Sequence, residues 1–121
     1  MKEITLKLKH HFDAAHFLEN YTGPCGRLHG HRWNVIVFAK GEVKENDMLI
    51  DFTIIKKEID RLDHDSLNDI VKFNPTAENI TLYLLERFER AYPDVKFIVR
   101  VYESPEASVE AKSEGWYNGK S

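Results

Sequence analysis

Residues 4–12 alternate between apolar and polar side chains, a pattern typical of a strand with one buried face. The apolar positions are even and the polar positions odd: Ile4, Leu6, Leu8 and Phe12 against Thr5, Lys7 and Lys9. If the alternation continues beyond Phe12, His16 lies on the same side as Phe12 and Ala14. That side faces either the core or an active-site cleft.

A second strand is predicted from about residue 28 to residue 40, after a loop that contains Gly23, Pro24 and Gly26. One face of this strand is formed by the odd positions His29, His31, Trp33, Val35 and Val37. The opposite face is also apolar in the middle, at Ile36 and Phe38. The pattern therefore predicts cover on both faces, which a partner subunit could provide.

Two helices are predicted in the centre of the chain. The first begins near Thr53 as its N-cap, repeats apolar residues at helical spacing, and ends at about residue 62. The second has Thr76 as N-cap and Glu78 in its first turn, and it ends before Pro93.

Alternation returns over residues 95–101, and Glu103 continues the parity of the apolar positions. A weaker strand is predicted over residues 107–111. The order ββααββ predicts an α+β domain, a four-stranded antiparallel sheet with two helices on one face. The two edges of such a sheet favour pairing with other subunits.

The composition limits the possible classes of function. The chain of 121 residues is predicted to be one domain, residues 1–121. Its net charge of −3 and lack of a concentrated basic face argue against nucleic acid as a ligand. No apolar run is long enough for a membrane span, and a single cysteine fits a reducing compartment, so a cytoplasmic protein is expected.

Three histidines and the cysteine suggest a metal site. His29 and His31 project from the same face of a strand, and His16 can reach the same point from an antiparallel neighbour. Three imidazoles with an open fourth position are typical of catalytic zinc. Cys25, four residues before His29, could be a fourth ligand or a separate base.

These residues belong to a longer series of motifs in the chain. They are FDAAH at 12–16, CGRLHGH at 25–31, DF at 51–52, LDH at 62–64, NPTAEN at 74–79 and VYES at 101–104. In this order the motifs resemble the family of 6-pyruvoyl- and 6-carboxy-tetrahydropterin synthases. The segment at 25–31 is most similar to the bacterial 6-carboxy enzymes of queuosine (7-deazaguanine) biosynthesis.

The resemblance implies the tunnelling fold (T-fold) and a homo-oligomer whose active sites lie at the interfaces between subunits. The expected oligomer is a hexamer of two stacked trimers. It implies the following roles: His16, His29 and His31 as Zn²⁺ ligands, Cys25 as catalytic base, Asp63 and His64 as its relay, Glu103 as pterin anchor, and Thr76 and Glu78 as residues of the pterin pocket.

The reaction implied is that of a carbon–carbon lyase. It converts 7,8-dihydroneopterin 3′-triphosphate to 6-carboxy-5,6,7,8-tetrahydropterin, with release of acetaldehyde and triphosphate. Two alternatives stay open at this point. One is the formation of 6-pyruvoyl-tetrahydropterin by nearly the same residues. The other is a non-catalytic domain in which Cys25 and the three histidines close a structural zinc site, which would need neither the Asp63–His64 pair nor Glu103.

Overall fold

The structure, a computed structural model, describes residues 2–116 except for the side chain of Cys25. Its elements in chain order are β1 (Glu3–His16), β2 (His29–Glu42), α1 (Phe52–Asp60), β3 (Asp65–Ser66), α2 (Leu67–Ile70), α3 (Ala77–Ala91), β4 (Lys96–Ser104) and β5 (Ala107–Lys112). A single 3₁₀ turn, Pro24–Gly26, lies between β1 and β2.

The strands form one sheet in the order β3-β1-β2-β4-β5. The β1–β2, β2–β4 and β4–β5 pairs are antiparallel, whereas β3 runs parallel to β1. In the described residues the sheet is therefore mixed and five-stranded, and the prediction of four antiparallel strands was wrong in this respect. The added strand, Asp65–Ser66, is too short to show any periodicity in the sequence.

The core lies between the sheet and the helices. Trp33, Val35, Val37 and Ala39 of β2 are fully buried, and they belong to the same cluster as Ile55 and Ile59 of α1 and Ile80, Leu84 and Phe88 of α3. The alternation predicted for β1 is confirmed, because Phe12, Ala14 and His16 are buried on one side. The other face of β2 is only half-buried at Ile36 and Phe38.

The helix boundaries differ from prediction at α1. Asp51, and not Thr53, is the N-cap, because its carboxylate accepts a hydrogen bond from the backbone amide of Thr53 at 2.9 Å. The helix ends at Asp60, and α2 was not predicted, since four residues are too few for a periodic pattern. At α3 the predicted cap is confirmed: Thr76 Oγ1 accepts from the amide of Asn79 at 3.1 Å.

Residues 2–116 contain no helix that is long and apolar enough to cross a membrane.

Candidate active site

The three histidines converge because of the register between β1 and β2. His16 is paired with His29, and Ala14 is paired with His31. Residues paired across two strands, or two apart on one strand, share a face of the sheet. All three imidazoles therefore lie at one end of β1 and β2, on the face that packs against the helices.

Glu103 reaches the same point from β4. The pairing of β4 with β5 is irregular here: Tyr102 pairs with Ser108 and Ser104 with Ala107. Such a bulge redirects the side chain of the extra residue. Oε1 of Glu103 lies 3.1 Å from Nε2 of His16 and 3.7 Å from Nε2 of His31.

The four side chains form a candidate metal centre. One ligand atom from each of His16, His29, His31 and Glu103 lies within 4.8 Å of the others. Among the described side chains this is the only group of three or more potential ligands. The Nε2 atoms of His16 and His31 are 3.2 Å apart. Two nitrogens bound to one tetrahedral zinc at the usual distance of about 2.0–2.1 Å would be about 3.3 Å apart, so the donor set fits this ion.

Backbone carbonyl groups set the tautomers of two of the imidazoles. Nδ1 of His16 lies 2.7 Å from the carbonyl oxygen of Pro75, and Nδ1 of His29 lies 2.7 Å from that of Arg27. Since a carbonyl oxygen only accepts, each Nδ1 carries a proton, which leaves Nε2 as the nitrogen that each ring can present to a metal. Hydrogen bonds of this kind orient histidine ligands in metal sites.

Burial keeps two of the rings neutral. It lowers the pKa of His16 below its ordinary value, against the opposing effects of the Pro75 carbonyl and the Glu103 carboxylate. Burial likewise lowers the pKa of His31, again against the effect of Glu103. Neutral imidazoles beside a carboxylate form a site that attracts a divalent cation, because no proton has to be displaced first.

A cavity of about 190 Å³ adjoins the metal centre, and its lining includes Glu78 and Glu103 together with Ala77, Ala107, Ser108 and Val109. Two of the predicted pterin-binding residues are therefore brought together. Thr76 is the residue before α3, next to Pro75, whose carbonyl contacts His16. The Thr76 hydroxyl oxygen accepts the capping hydrogen bond from Asn79.

Asp63 and His64 form a pair at the opposite edge of β1, outside the metal cluster. Oδ2 of Asp63 lies 3.1 Å from Nε2 of His64, whose side chain is 80% exposed. The pair is attached to Asp13: the amide of Asp13 donates to Asp63 Oδ1 at 2.8 Å, and the amide of His64 donates to the Asp13 carbonyl at 2.6 Å. His64 adopts a φ of 60°, which is uncommon for a residue other than glycine. These two hydrogen bonds hold it there.

Asp13 is itself held by an ion pair. Its carboxylate accepts from Nε of Arg32 at 2.9 Å and from Nη2 at 3.2 Å, and the two residues are direct partners across β1 and β2. The guanidinium lowers the pKa of the Asp13 carboxyl below its ordinary value. The same strands that bear the metal ligands thus fix the position of the Asp63–His64 pair.

The last predicted residue, Cys25, lies in the 3₁₀ turn that leads into β2, and its side chain falls outside the described part of the structure. Its predicted role as a base is therefore not tested by the geometry.

Comparison with known proteins agrees with this arrangement. The sequence model of the family described as 6-pyruvoyl tetrahydropterin synthase matches residues 5–114. The chain belongs to this family. The predicted family membership is thus confirmed, and with it the prediction that the chain is an enzyme of this family.

Individual relatives show how far the similarity extends. A dihydroneopterin monophosphate aldolase of Pyrococcus furiosus is 39% identical over 105 residues, which is 82% of this chain and 89% of that protein. A 6-carboxy-5,6,7,8-tetrahydropterin synthase of Synechocystis sp. is 35% identical over 91 residues, 66% of this chain and 70% of that protein. The solved 6-pyruvoyl tetrahydropterin synthase of Caenorhabditis elegans superposes with a TM-score of 0.76 at 27% identity, covering 94% of this chain and 98% of that one.

Proposed function

We propose that this chain is a zinc-dependent 6-carboxy-5,6,7,8-tetrahydropterin synthase. It would convert 7,8-dihydroneopterin 3′-triphosphate and water to 6-carboxy-5,6,7,8-tetrahydropterin, acetaldehyde and triphosphate, as a step of queuosine biosynthesis. The main support for the proposal is that His16, His29, His31 and Glu103 converge beside a cavity lined by carboxylates. The chain also belongs to a pterin-synthase family.

The histidines would hold the metal, and a bound zinc would polarise an oxygen of the pterin side chain and so acidify the adjacent C–H bond. The protein contributes the preorganisation of the ligands. His16 and His29 are oriented by carbonyl groups, and His16 and His31 are kept neutral by burial. His16, which has both properties, therefore has neither to rotate nor to lose a proton when the ion binds.

Cys25 is proposed as the base that removes the acidified proton. A nearby cation lowers the pKa of a thiol, so a thiolate can form beside the metal without binding to it. The 3₁₀ turn that contains Cys25 precedes His29 by only a few residues, which supports a position near the substrate.

Asp63 and His64 are proposed to exchange protons with this base in a neighbouring subunit. The pair lies on the outer edge of the sheet, and the His64 ring points to solvent. An exposed ring at an edge strand is available to the active site of an adjacent copy. Asp63 orients the imidazole, and Asp13 orients Asp63.

Glu78 and Glu103 are proposed to bind the pterin. A carboxylate can accept two hydrogen bonds from a ring N–H and an exocyclic amine, as a charge-assisted bidentate contact. Both glutamates line the same cavity, and Glu103 also contacts His16, so the bound pterin would lie beside the metal centre. Thr76 would shape the wall by fixing the start of α3.

The reaction needs no external electron donor. The pterin ring gains two electrons and two protons as the dihydro form becomes the tetrahydro form. The three-carbon side chain loses two electrons overall. Its first carbon becomes the carboxyl carbon with an oxygen from water, the bond to the second carbon breaks, and the two remaining carbons leave as acetaldehyde after loss of triphosphate. The protein therefore has to move protons, which is the work assigned to Cys25 and His64.

A second candidate function is the cleavage of dihydroneopterin monophosphate, as in the aldolase of Pyrococcus furiosus, which has the higher identity of the two relatives described. A base near a Lewis-acidic metal would serve that cleavage equally well. The 6-pyruvoyl synthase activity is a further candidate, since the Caenorhabditis elegans enzyme of that name shares the fold. The structural zinc domain is less well supported, because the two glutamates line an open cavity.

We also infer that the active enzyme is a cytoplasmic homo-oligomer, as a hexamer of two stacked trimers. Half-buried Ile36 and Phe38 on the open face of β2 and the exposed His64 at the sheet edge support subunit contacts there.

Product analysis tests the proposed function. The protein is incubated separately with dihydroneopterin triphosphate and dihydroneopterin monophosphate, and the products are identified by mass spectrometry. We expect 6-carboxytetrahydropterin from the triphosphate. A 6-hydroxymethyl pterin from the monophosphate would support the aldolase, and a 6-pyruvoyl product would support the third candidate.

A further inference from the structure

Arg27 differs from the other arginines of the chain. The other five each form an ion pair with a carboxylate: Arg32 with Asp13, Arg61 and Arg87 with Glu58, Arg90 with Glu86, and Arg100 with Glu110. The guanidinium of Arg27 has no hydrogen bond or ion pair with any other side chain or backbone group that the structure describes. A fixed positive charge with five unused donors is suited to an anion from outside the chain.

Arg27 lines a cavity of about 330 Å³, whose other lining residues are Thr22, Gly23 and Pro24. The loop that forms this cavity is closed tightly on itself. A Cβ atom at Gly23 would lie 2.6 Å from the ring of Tyr21, and one at Gly26 would overlap the carbonyl oxygen of Tyr21. The loop conformation therefore depends on glycine at position 26, where the clash is with backbone, whereas the exposed Tyr21 ring could move away from a side chain at position 23.

The backbone of Arg27 joins this cavity to the metal centre. Its carbonyl oxygen accepts the Nδ1 proton of His29 at 2.7 Å. The backbone of Arg27 thus orients the metal ligand His29, which is two residues further along the chain. The side chain of the same residue supplies a positive charge.

We propose that Arg27, together with the hydroxyl of Thr22, binds the phosphoryl end of the substrate. This inference rests on the proposed function in one respect, that the substrate is a phosphorylated dihydropterin. In such a substrate the phosphate ester is at the end of the side chain, whose inner carbons would react at the metal. A guanidinium binds phosphate oxygens through two parallel hydrogen bonds, and a hydroxyl adds a third donor.

The experiment measures anion binding and kinetics on Arg27→Gln and Arg27→Lys. Arg90→Gln is the matched control, because Arg90 is also an exposed arginine but lies far from the proposed site. It is fourteen residues, or about 21 Å at the helical rise, along α3 from Thr76, which lies beside the pterin cavity. Binding of inorganic triphosphate and of inorganic phosphate is measured by calorimetry on the zinc-loaded proteins. KM and kcat are then measured with the phosphorylated dihydropterin.

We expect Arg27→Gln to weaken triphosphate binding and to raise KM by about tenfold or more, the scale of one lost charge-assisted contact. Arg27→Lys should recover part of the loss, since it keeps the charge but not the planar fork. Binding of an unphosphorylated pterin, the zinc content and the Arg90→Gln control should remain at wild-type values. Tighter wild-type binding of triphosphate than of phosphate would indicate that the site holds more than the first phosphoryl group.

The inference would be overturned if Arg27→Gln bound triphosphate within twofold of the wild type, or if the wild type did not bind triphosphate. Either result would leave the proposed function intact, provided that the wild-type protein turns over the phosphorylated dihydropterin. Conversely, triphosphate binding that depends on Arg27 in a protein without pterin turnover would refute the proposed function and not the anion site.

Discussion

Oε1 of Glu103 lies 3.1 Å from Nε2 of His16, the nitrogen that this histidine presents to the metal centre. The carboxylate is therefore part of the cluster and at the same time lines the cavity that it shares with Glu78. The two glutamates therefore differ, because only Glu103 belongs to the metal cluster, although the sequence motifs associate both with the pterin.

Glu78→Gln and Glu103→Gln should therefore have separable effects. Each removes one charged acceptor and should weaken binding of a non-reactive pterin by about 1.5–3 kcal/mol, measured by calorimetry. Only Glu103→Gln should also lower the affinity for zinc, because Glu103 alone contacts a histidine of the cluster. Equal zinc affinity in both variants would remove Glu103 from the metal centre.

The metal ligands can be tested individually. Purified protein should contain about one zinc per chain, and His29→Ala or His31→Ala should lose both zinc and activity, since two imidazoles and a carboxylate make a weaker site. Metal content is measured by elemental analysis. His11→Ala, on β1 but outside the cluster, is the control. Full zinc occupancy in either ligand variant would contradict the assignment.

Cys25→Ala distinguishes a base from a ligand. We expect this variant to keep its zinc and to lose turnover, because the thiol is proposed to move a proton and not to bind the ion. The measurement is zinc content alongside kcat. If the metal were lost together with the thiol, a structural site with four ligands would be the better description.

His64→Asn should lower kcat by about 10² to 10⁴ with little change in substrate affinity, as expected for a group that acts on protons in the transition state. His10→Asn is a matched control, because His10 also pairs with an aspartate, Asp60, at 2.7 Å. A loss of pterin affinity in His64→Asn, with kcat retained, would assign His64 to binding.

Assembly can be measured directly. The exposed edge at β3 and the half-buried open face of β2 predict a homo-oligomer in solution, and light scattering should give about six times the 14.2 kDa mass of one chain. A particle of 14.2 kDa would refute the proposal that Asp63 and His64 act in a neighbouring subunit.

The sequence predicted those features that depend on strict periodicity. The parity of β1 placed His16 beside Phe12 and Ala14, and the parity of β2 grouped His29 with His31, because side chains two apart share a face. The Thr76 cap was also found, since a threonine followed by an acidic first turn is a local signal.

The features that the sequence did not predict depend on contacts between distant segments of the chain. The Pro75 carbonyl that orients His16 is 59 residues away, and Asp13 contacts Asp63 across 50 residues. The proximity of Glu103 to the metal centre could have been inferred from parity, because β4 pairs Val101 with Val35, on the face of β2 that carries His31. The family motif assigned Glu103 to the pterin, so the predicted metal ligands did not include it.

A metal held by the three histidines is proposed to enable this chain to cleave a pterin side chain. The most direct test incubates metal-free protein, and the same protein reloaded with one zinc per chain, with dihydroneopterin triphosphate. Acetaldehyde and 6-carboxytetrahydropterin are then quantified. We predict that both products form in equal amounts and only with the zinc-loaded protein. Absence of both products from zinc-loaded protein, or equal yields from metal-free protein, would contradict the claim.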